Sequence, residues 1–308
     1  MMDRKQFLKY IGTGTIVLGA NINGIANVIN KNVKKLTILH TNDWHSRIEP
    51  FPIDKSRNSN LGGAARRAGL INKIRKEEKN VLLFDAGDIF QGTPYFNYFG
   101  GELELKLMSA MHYDAATMGN HDFDGGMDGF KKALKFADFD FITTNYDFDN
   151  TILKGSTRKY KIIEIDGLKI GIVSANIDVN GLVPPKLYKE AKYLDPLQYT
   201  NDMASKLKND MHCDYIVCIS HLGYKYKTDK VSDTVLAANS KYIDLIIGGH
   251  THTFMKKPDE IQNKLGKKVI VTQAGWGGIL LGRLDIYFDK KQKFLWAESD
   301  YFNTGASV

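Results

Sequence analysis

The sequence predicts an α/β fold in which the sheet is mixed. Short β-branched runs alternate with longer helix-like stretches along most of the chain. The apolar runs are continuous rather than alternating, as expected of strands covered on both faces. Residues 162–168 turn around "DG", a hairpin signal, so not every strand is parallel to its neighbour. A chain of 308 residues has room for one large domain or two small ones, and no Pro- or Ser-rich linker divides it, which favours one.

Taken in order, residues 1–30 stand apart. A basic start ("MMDRKQFLK") precedes the weakly apolar stretch Tyr10–Ala20 and then small and polar residues. That is the anatomy of an export signal, and its apolar part is too short to span a bilayer. "RKQFLK" is similar to a twin-arginine signal, with Lys5 in place of the second arginine. No cysteine follows to carry a lipid. The expectation is an exported protein, periplasmic or extracellular, with no transmembrane span.

Strands are expected at 36–40, 81–85, 139–144, 160–165, 168–175, 214–220, 243–248, 268–273 and 282–288. Helices are expected at Ala64–Glu78, Gly101–Met111, Gly126–Phe136, Leu197–Asn209 and Ser232–Asn239. Residues 34–290 would form the domain, with 291–308 as a C-terminal tail.

Composition sets limits. Hydrophobic content of 43% and charged content of 25% exclude a disordered or repeat protein. Residues 1–30 hold three basic groups and one acid, so without them the net charge of +7 falls to +5. A mild positive charge helps attract an anionic substrate. The lysines are scattered, without the aromatic-laced basic stripe that grips nucleic acid, so no nucleic-acid partner is expected. Cys213 and Cys218 flank "DYIV". Along one extended strand they would lie roughly 16 Å apart, too far for a disulfide, and Cys218 reads as core.

The chemistry lies just past the strands. After "LTILH" come Asp43 and His45; after "VLLFD" comes Asp88; after "DAATM" come Asn120, His121, Asp122 and Asp124. After "DYIVCIS" comes His221, and after "DLIIGG" come His250 and His252. Five of the eight histidines sit at these ends. Open α/β sheets build their sites beyond the carboxyl ends of the strands, so five converging turns point to one site. Imidazoles mixed with carboxylates and an amide suit Zn, Mn, Fe or Ni better than Ca or Mg alone. Seven donors are too many for one tetrahedral ion and about right for two sharing a bridging carboxylate. Spacing does not choose between Asp85 and Asp88 as that bridge. His40, inside a strand, and His112 and His212, before strands, read as structural.

The blocks "ILHTNDWH", "GDIFQGTPYF", "MGNHDFDGG", "SHLGY" and "GGHTHT" follow one another from residue 36 to 253, and "GGAARRAGLI" and "QAGWGGILLG" extend the pattern to about 288. Together they resemble the dinuclear metallophosphoesterases, in particular the catalytic domain of the 5′-nucleotidase family with its calcineurin-like phosphoesterase fold. The resemblance implies a four-layer α/β/β/α sandwich with two mixed sheets. It implies two divalent metal ions (Zn, Mn, Co, Fe or Ni), the first held by Asp43, His45, Asp88 and His252, the second by Asp88, Asn120, His221 and His250. The "GD" of the pattern selects Asp88 as the bridge and leaves Asp85 as a strand-end residue bonded to nearby backbone. His121 and Asp124 become a catalytic pair, with His121 stabilising charge on the phosphoryl group during in-line hydrolysis and Asp124 holding the imidazole cationic. Asp122 stands where the family commonly has glutamate.

The implied activity is hydrolysis of a small phosphorylated substrate, a nucleotide for a 5′-nucleotidase-like enzyme in nucleotide catabolism. Cyclic 2′,3′-nucleotides, UDP-sugars and the sulfur esters of the related thiosulfohydrolases are alternative substrates. A non-catalytic metal-dependent binding protein is a third reading, and the intact donor set with His121 and Asp124 argues against it. Family members with full nucleotidase activity carry a second, C-terminal domain that clamps the base. Here the chain ends at Val308, about twenty residues past the last expected strand, which leaves no room for it. The expectation is a separate polypeptide of that C-terminal type, docked over the strand-end loops.

Overall fold

The computed structural model describes residues 33–305, so the expected export segment lies outside the described residues. One sheet contains β1 (Val33–Thr41), β2 (Val81–Asp85), β3 (Ala115–Ala116), β4 (Asp140–Phe141), β13 (Leu280–Asp289) and β14 (Phe294–Asn303). The other contains β6 (Lys161–Ile165), β7 (Leu168–Ala175), β9 (Tyr215–Ser220), β10 (Leu245–Ile247), β11 (Asp259–Gln262) and β12 (Lys268–Thr272). Their orders are β14-β13-β1-β2-β3-β4 and β11-β12-β10-β9-β7-β6. A small ribbon pairs β5 (Tyr146–Asp147) with β8 (Lys192–Tyr193). The helices are α1 (Ala64–Glu77), α2 (Pro94–Phe99), α3 (Glu102–Ala110), α4 (Gly126–Ala133), α5 (Pro185–Tyr188), α6 (Pro196–Asn209) and α7 (Asp233–Asn239).

Both sheets are mixed. β1 to β4 run parallel and β13 antiparallel to β1; β7, β9, β10 and β12 run parallel between the antiparallel edges β6 and β11. The expected hairpin is present, Ile165 facing Leu168 across Asp166 and Gly167, both left-handed.

The two-residue period of each strand assigns its side chains to layers. Leu36, Ile38, Leu82 and Phe84 of the first sheet meet Ile170, Ile172, Val217, Ile219, Leu245 and Ile247 of the second in one shared core. Their neighbours Leu39 and Leu83 face the other way, toward Leu70, Ile71, Leu105, Met108, Met127 and Phe130 of α1, α3 and α4. Ile216, Cys218 and Ile246 turn onto Ala204, Leu207, Leu236 and Ala237 of α6 and α7. The result is helices, sheet, sheet, helices, as the resemblance implied.

Local chemistry sets the helix starts. Asp195 accepts from the Gln198 N–H ahead of Pro196, and Ser232 accepts from the Val235 N–H, so Ser232 is a cap rather than the first helical residue. Cys213 and Cys218 are buried and free. No helix among the described residues is long and apolar enough to cross a membrane.

Two further expectations need correction, and one helix is additional to them. The expected strand 139–144 contracts to Asp140–Phe141, because the Thr143 and Thr144 N–H groups turn to Arg158 O and Ser174 Oγ, both at 2.8 Å. Residues 291–308 are not simply a tail: Phe294–Asn303 is an edge strand paired along β13. Its central "AESD" breaks the apolar pattern and only Trp296 is buried, so β14 takes its order from its neighbour. The helix Pro94–Phe99 has no counterpart among the expected elements; it is 6 residues long and buries no residue fully.

His40 illustrates a histidine with no site. It is fully buried in β1 opposite Gly282, where a Cβ would collide with the imidazole Nε2. Burial lowers its pKa from 6.5 to about 3, so the fold accepts only the neutral ring. Its contribution to stability is complete above about pH 6.5 and is lost as pH falls toward 3, at up to about 1.4 kcal/mol per pH unit. His40→Gln should therefore shrink the difference in Tm between pH 7 and pH 4.5, measured by calorimetry. An unchanged difference would place the titrating group elsewhere.

Candidate metal centre

The parallel strands β1, β2 and β3 end on one edge of the first sheet, and β9 and β10 end on one edge of the second. The sequence-selected side chains follow those ends and meet between the sheets. Asp43, His45 and His252 form one group whose donor atoms lie within 4.8 Å of one another, and Asp88, His221 and His250 form another. Each group draws on both sheets, so neither exists without the sandwich.

Backbone bonds set the loops. Asp43 N–H donates to Gly87 O at 2.8 Å, His45 N–H to Asp88 O at 2.9 Å and Ser46 N–H to Ile89 O at 2.8 Å, so the two loops run side by side. The Asn42 amide donates to Asp43 Oδ2 at 2.6 Å and to Gly275 O at 2.5 Å. His250 N–H donates to Asp43 at 3.0 Å, tying the second sheet to the first. Asp43, His45, Asp88, His250 and His252 all hold left-handed backbones, with φ between 50° and 69°. Gly119 is required by close approach: a Cβ there would collide with Asp88 Oδ1.

Asp88 lies between the groups. Its Oδ2 is 3.1 Å from His221 Nε2 and 3.8 Å from His45 Nε2. His252 Nε2 lies 3.0 Å from His45 Nε2 and 3.3 Å from Asp43 Oδ1. The sequence-selected Asn120 joins the second group, its Oδ1 2.9 Å from His250 Nδ1.

The donor set fits divalent cations. His221 Nε2 is buried without a hydrogen bond, beside a carboxylate oxygen, while its Nδ1 is turned to Ala86 O at 2.6 Å. A backbone carbonyl on one ring nitrogen, leaving the other directed at a shared point, is how proteins orient metal-binding histidines. Burial lowers the pKa of His45, and that of His250 to about 4, which keeps them neutral and able to donate a lone pair. Burial opposes charge on His221, yet Asp88 overrides it and raises the pKa to about 10, so without a cation a proton answers the Asp88 charge.

His121 and Asp124 sit beside the groups. His121 Nδ1 is 2.8 Å from Asp124 Oδ2, and this bond raises its pKa against the opposing effect of burial. The His121 ring lies 5.2 Å from that of His45. Asp85 accepts from Thr41 Oγ1 at 2.6 Å and Gly87 N–H at 2.9 Å, a strand-end role as expected. His112 and His212 occupy left-handed turns ahead of β3 and β9, away from this edge.

Sequence reasoning missed Asn42 and Trp276. Trp276 stacks on His252, ring centroids 5.5 Å apart and planes at 11°. Gly277 N–H donates to Asp43 O at 2.7 Å, which holds this loop against the site. The glycines around Trp276 in "QAGWGGILLG" are its only local signal.

Comparison with known proteins agrees with this geometry. The calcineurin-like phosphoesterase family matches residues 36–254. The chain is 34% identical over 278 residues to a snake venom 5′-nucleotidase of Crotalus adamanteus, spanning 83% of this chain and 46% of that protein. It is 32% identical over 281 residues to the 5′-nucleotidase of Homo sapiens, spanning 83% and 47%. The structure of a 5′-nucleotidase precursor from Thermus thermophilus superposes with a TM-score of 0.79 at 31% identity, covering 88% of this chain and 54% of that one. The chain thus spans about half the length of these relatives. By its matched sequence and by a sandwich that brings metal-binding groups from both sheets together, the chain belongs to the calcineurin-like phosphoesterase family.

Proposed function

We propose that the chain is a dinuclear metal-dependent phosphomonoesterase acting on 5′-nucleotides, exported from the cell. The observation that carries this reading is the pair of donor groups with Asp88 between them. Asp43, His45, Asp88 and His252 would hold one ion, and Asp88, Asn120, His221 and His250 the other. When bound, two divalent cations supply Lewis-acid charge for the phosphoryl oxygens and acidify water at neutral pH.

The chain's own side chains do the rest. His121, whose protonated form is favoured by its bond to Asp124, would offer an N–H donor beside the donor groups, where negative charge grows on the phosphoryl oxygens. The nucleotide substrate and the export are supported by the named relatives, which include a venom protein. A separate polypeptide supplying the base-binding element belongs to the same proposal.

The test loads the purified chain with Mn, Zn or Co, counts bound ions and assays an aryl phosphate, 5′-AMP, 5′-UMP and ribose 5-phosphate. Two ions per chain and hydrolysis of the aryl phosphate are expected; with the base-binding element on another polypeptide, KM is high and kcat/KM similar across the nucleotides, because uniform binding of the nucleoside is then missing from the isolated chain. One ion or none in a loaded, folded sample overturns the dinuclear reading. Strong preference for one base at micromolar KM overturns the separate polypeptide.

A further inference from the structure

The geometry points to Asp122 as the positioning residue of the metal centre, a buried carboxylate that holds the backbone presenting donors of both groups; this rests on the metal-binding reading above. Asp122 is 1% exposed and makes no salt bridge among the described residues. Its hydrogen-bond partners are backbone N–H groups. Oδ2 accepts from the N–H groups of Asp88 at 3.0 Å and Gly119 at 2.7 Å, and Oδ1 from those of Ile89 at 3.0 Å and Phe90 at 3.2 Å.

Those four donors come from two loops, one after β2 and one after β3. Three are consecutive, at residues 88 to 90, where the left-handed turn at Asp88 gathers its N–H groups on one side. Buried N–H groups need an acceptor, and a carboxylate is the side chain with enough lone pairs for four. With this turn fixed, the Asp88 side chain extends between His221 and His45, its Oδ1 accepting from the His121 N–H at 2.8 Å. The carbonyls of Asp88 and Ile89 receive the N–H groups of His45 and Ser46, so the first donor group is carried by the same turn. One carboxylate therefore reaches both groups without pointing a donor atom at either.

An amide cannot replace it. Asn has the same shape, but its NH2 would face two of the four N–H donors whichever way it is turned. Partners that orient metal ligands typically change metal affinity by about 10–100-fold when lost. Asp122→Asn is expected to weaken Mn2+ binding by that factor, measured by calorimetric titration of the metal-free protein, with folding verified by circular dichroism. Asp122→Glu keeps the carboxylate and is expected to recover most of the affinity.

Wild-type affinity and stoichiometry in Asp122→Asn would overturn the proposal. Equal losses in the Asn and Glu variants would also overturn it, since packing rather than the carboxylate would then be responsible. Hydrogen exchange of the wild-type metal-free protein gives a readout independent of any variant's folding. Slow exchange at the amides of residues 88, 89, 90 and 119 is expected, and fast exchange overturns the proposal. A wild-type chain that bound fewer than two Mn2+ would sink the dinuclear reading instead, and the exchange measurement would still test Asp122.

Discussion

His121→Ala is expected to lower turnover by about 10²–10⁴ while leaving metal content unchanged. The residue belongs to neither donor group, and its side chain is 38% exposed beside them. What ties it to the buried scaffold is its backbone N–H on Asp88, which alanine keeps. What alanine removes is an imidazole whose pKa is raised by its bond to Asp124, on the proposed mechanism the donor to the reacting phosphate. The loss should fall on kcat, because the interaction strengthens as charge develops and contributes little to ground-state binding. Asp124→Asn should give a smaller loss of the same kind, since the ring remains but its charge is less favoured. Steady-state kinetics paired with metal counting by mass spectrometry decides the matter. If His121→Ala strips metal, the residue is a ligand and the assignment of roles is wrong.

Asp88→Ala is expected to do the reverse: metal content falls at both groups and hydrolysis is lost with it. Asp88 is 2% exposed, and one oxygen faces His221 on one side and His45 on the other. Removing the carboxylate deletes the negative charge shared by both groups, and the surrounding imidazoles then repel a second cation with nothing between them. Asp43→Ala should instead spare the second group, because Asp43 belongs only to the first. Metal counting on the two variants separates the cases. Full metal content in Asp88→Ala would show two independent sites.

The candidate site was more legible in the sequence than the fold around it. A strand-end site is encoded locally: an apolar run and then donors, with a glycine directly ahead of them at Asp88, Asn120 and His250. Asp43, His45, Asp88, Asn120, His221, His250 and His252 all lie in such positions, and the sandwich brings them together. Edges of sheets are encoded differently. β11 and β14 carry few buried residues and are ordered by pairing with β12 and β13, so their own patterns are weak. Asp122 stands out in the sequence only as a departure from the family pattern. Three of its partners lie more than thirty residues away, and all four are backbone N–H groups, which every residue except proline has, so no local composition could reveal them.

The left-handed backbones at Asp43, His45, Asp88, His250 and His252 set function against foldability. Glycine would take these φ values without strain, whereas a side chain held there costs of order 1 kcal/mol or more. Glycine at any of these five positions would relieve that backbone strain, offset at Asp43 and Asp88 by the His250 and His121 N–H groups their carboxylates satisfy, and each such step deletes a donor atom. Aspartate and histidine tolerate the conformation better than β-branched residues do, which narrows the residues able to serve both needs. Selection for metal binding therefore has to act continuously against selection for a relaxed chain. In a copy released from its activity, these turns would be early places for the sequence to decay, while the strands behind them stayed intact.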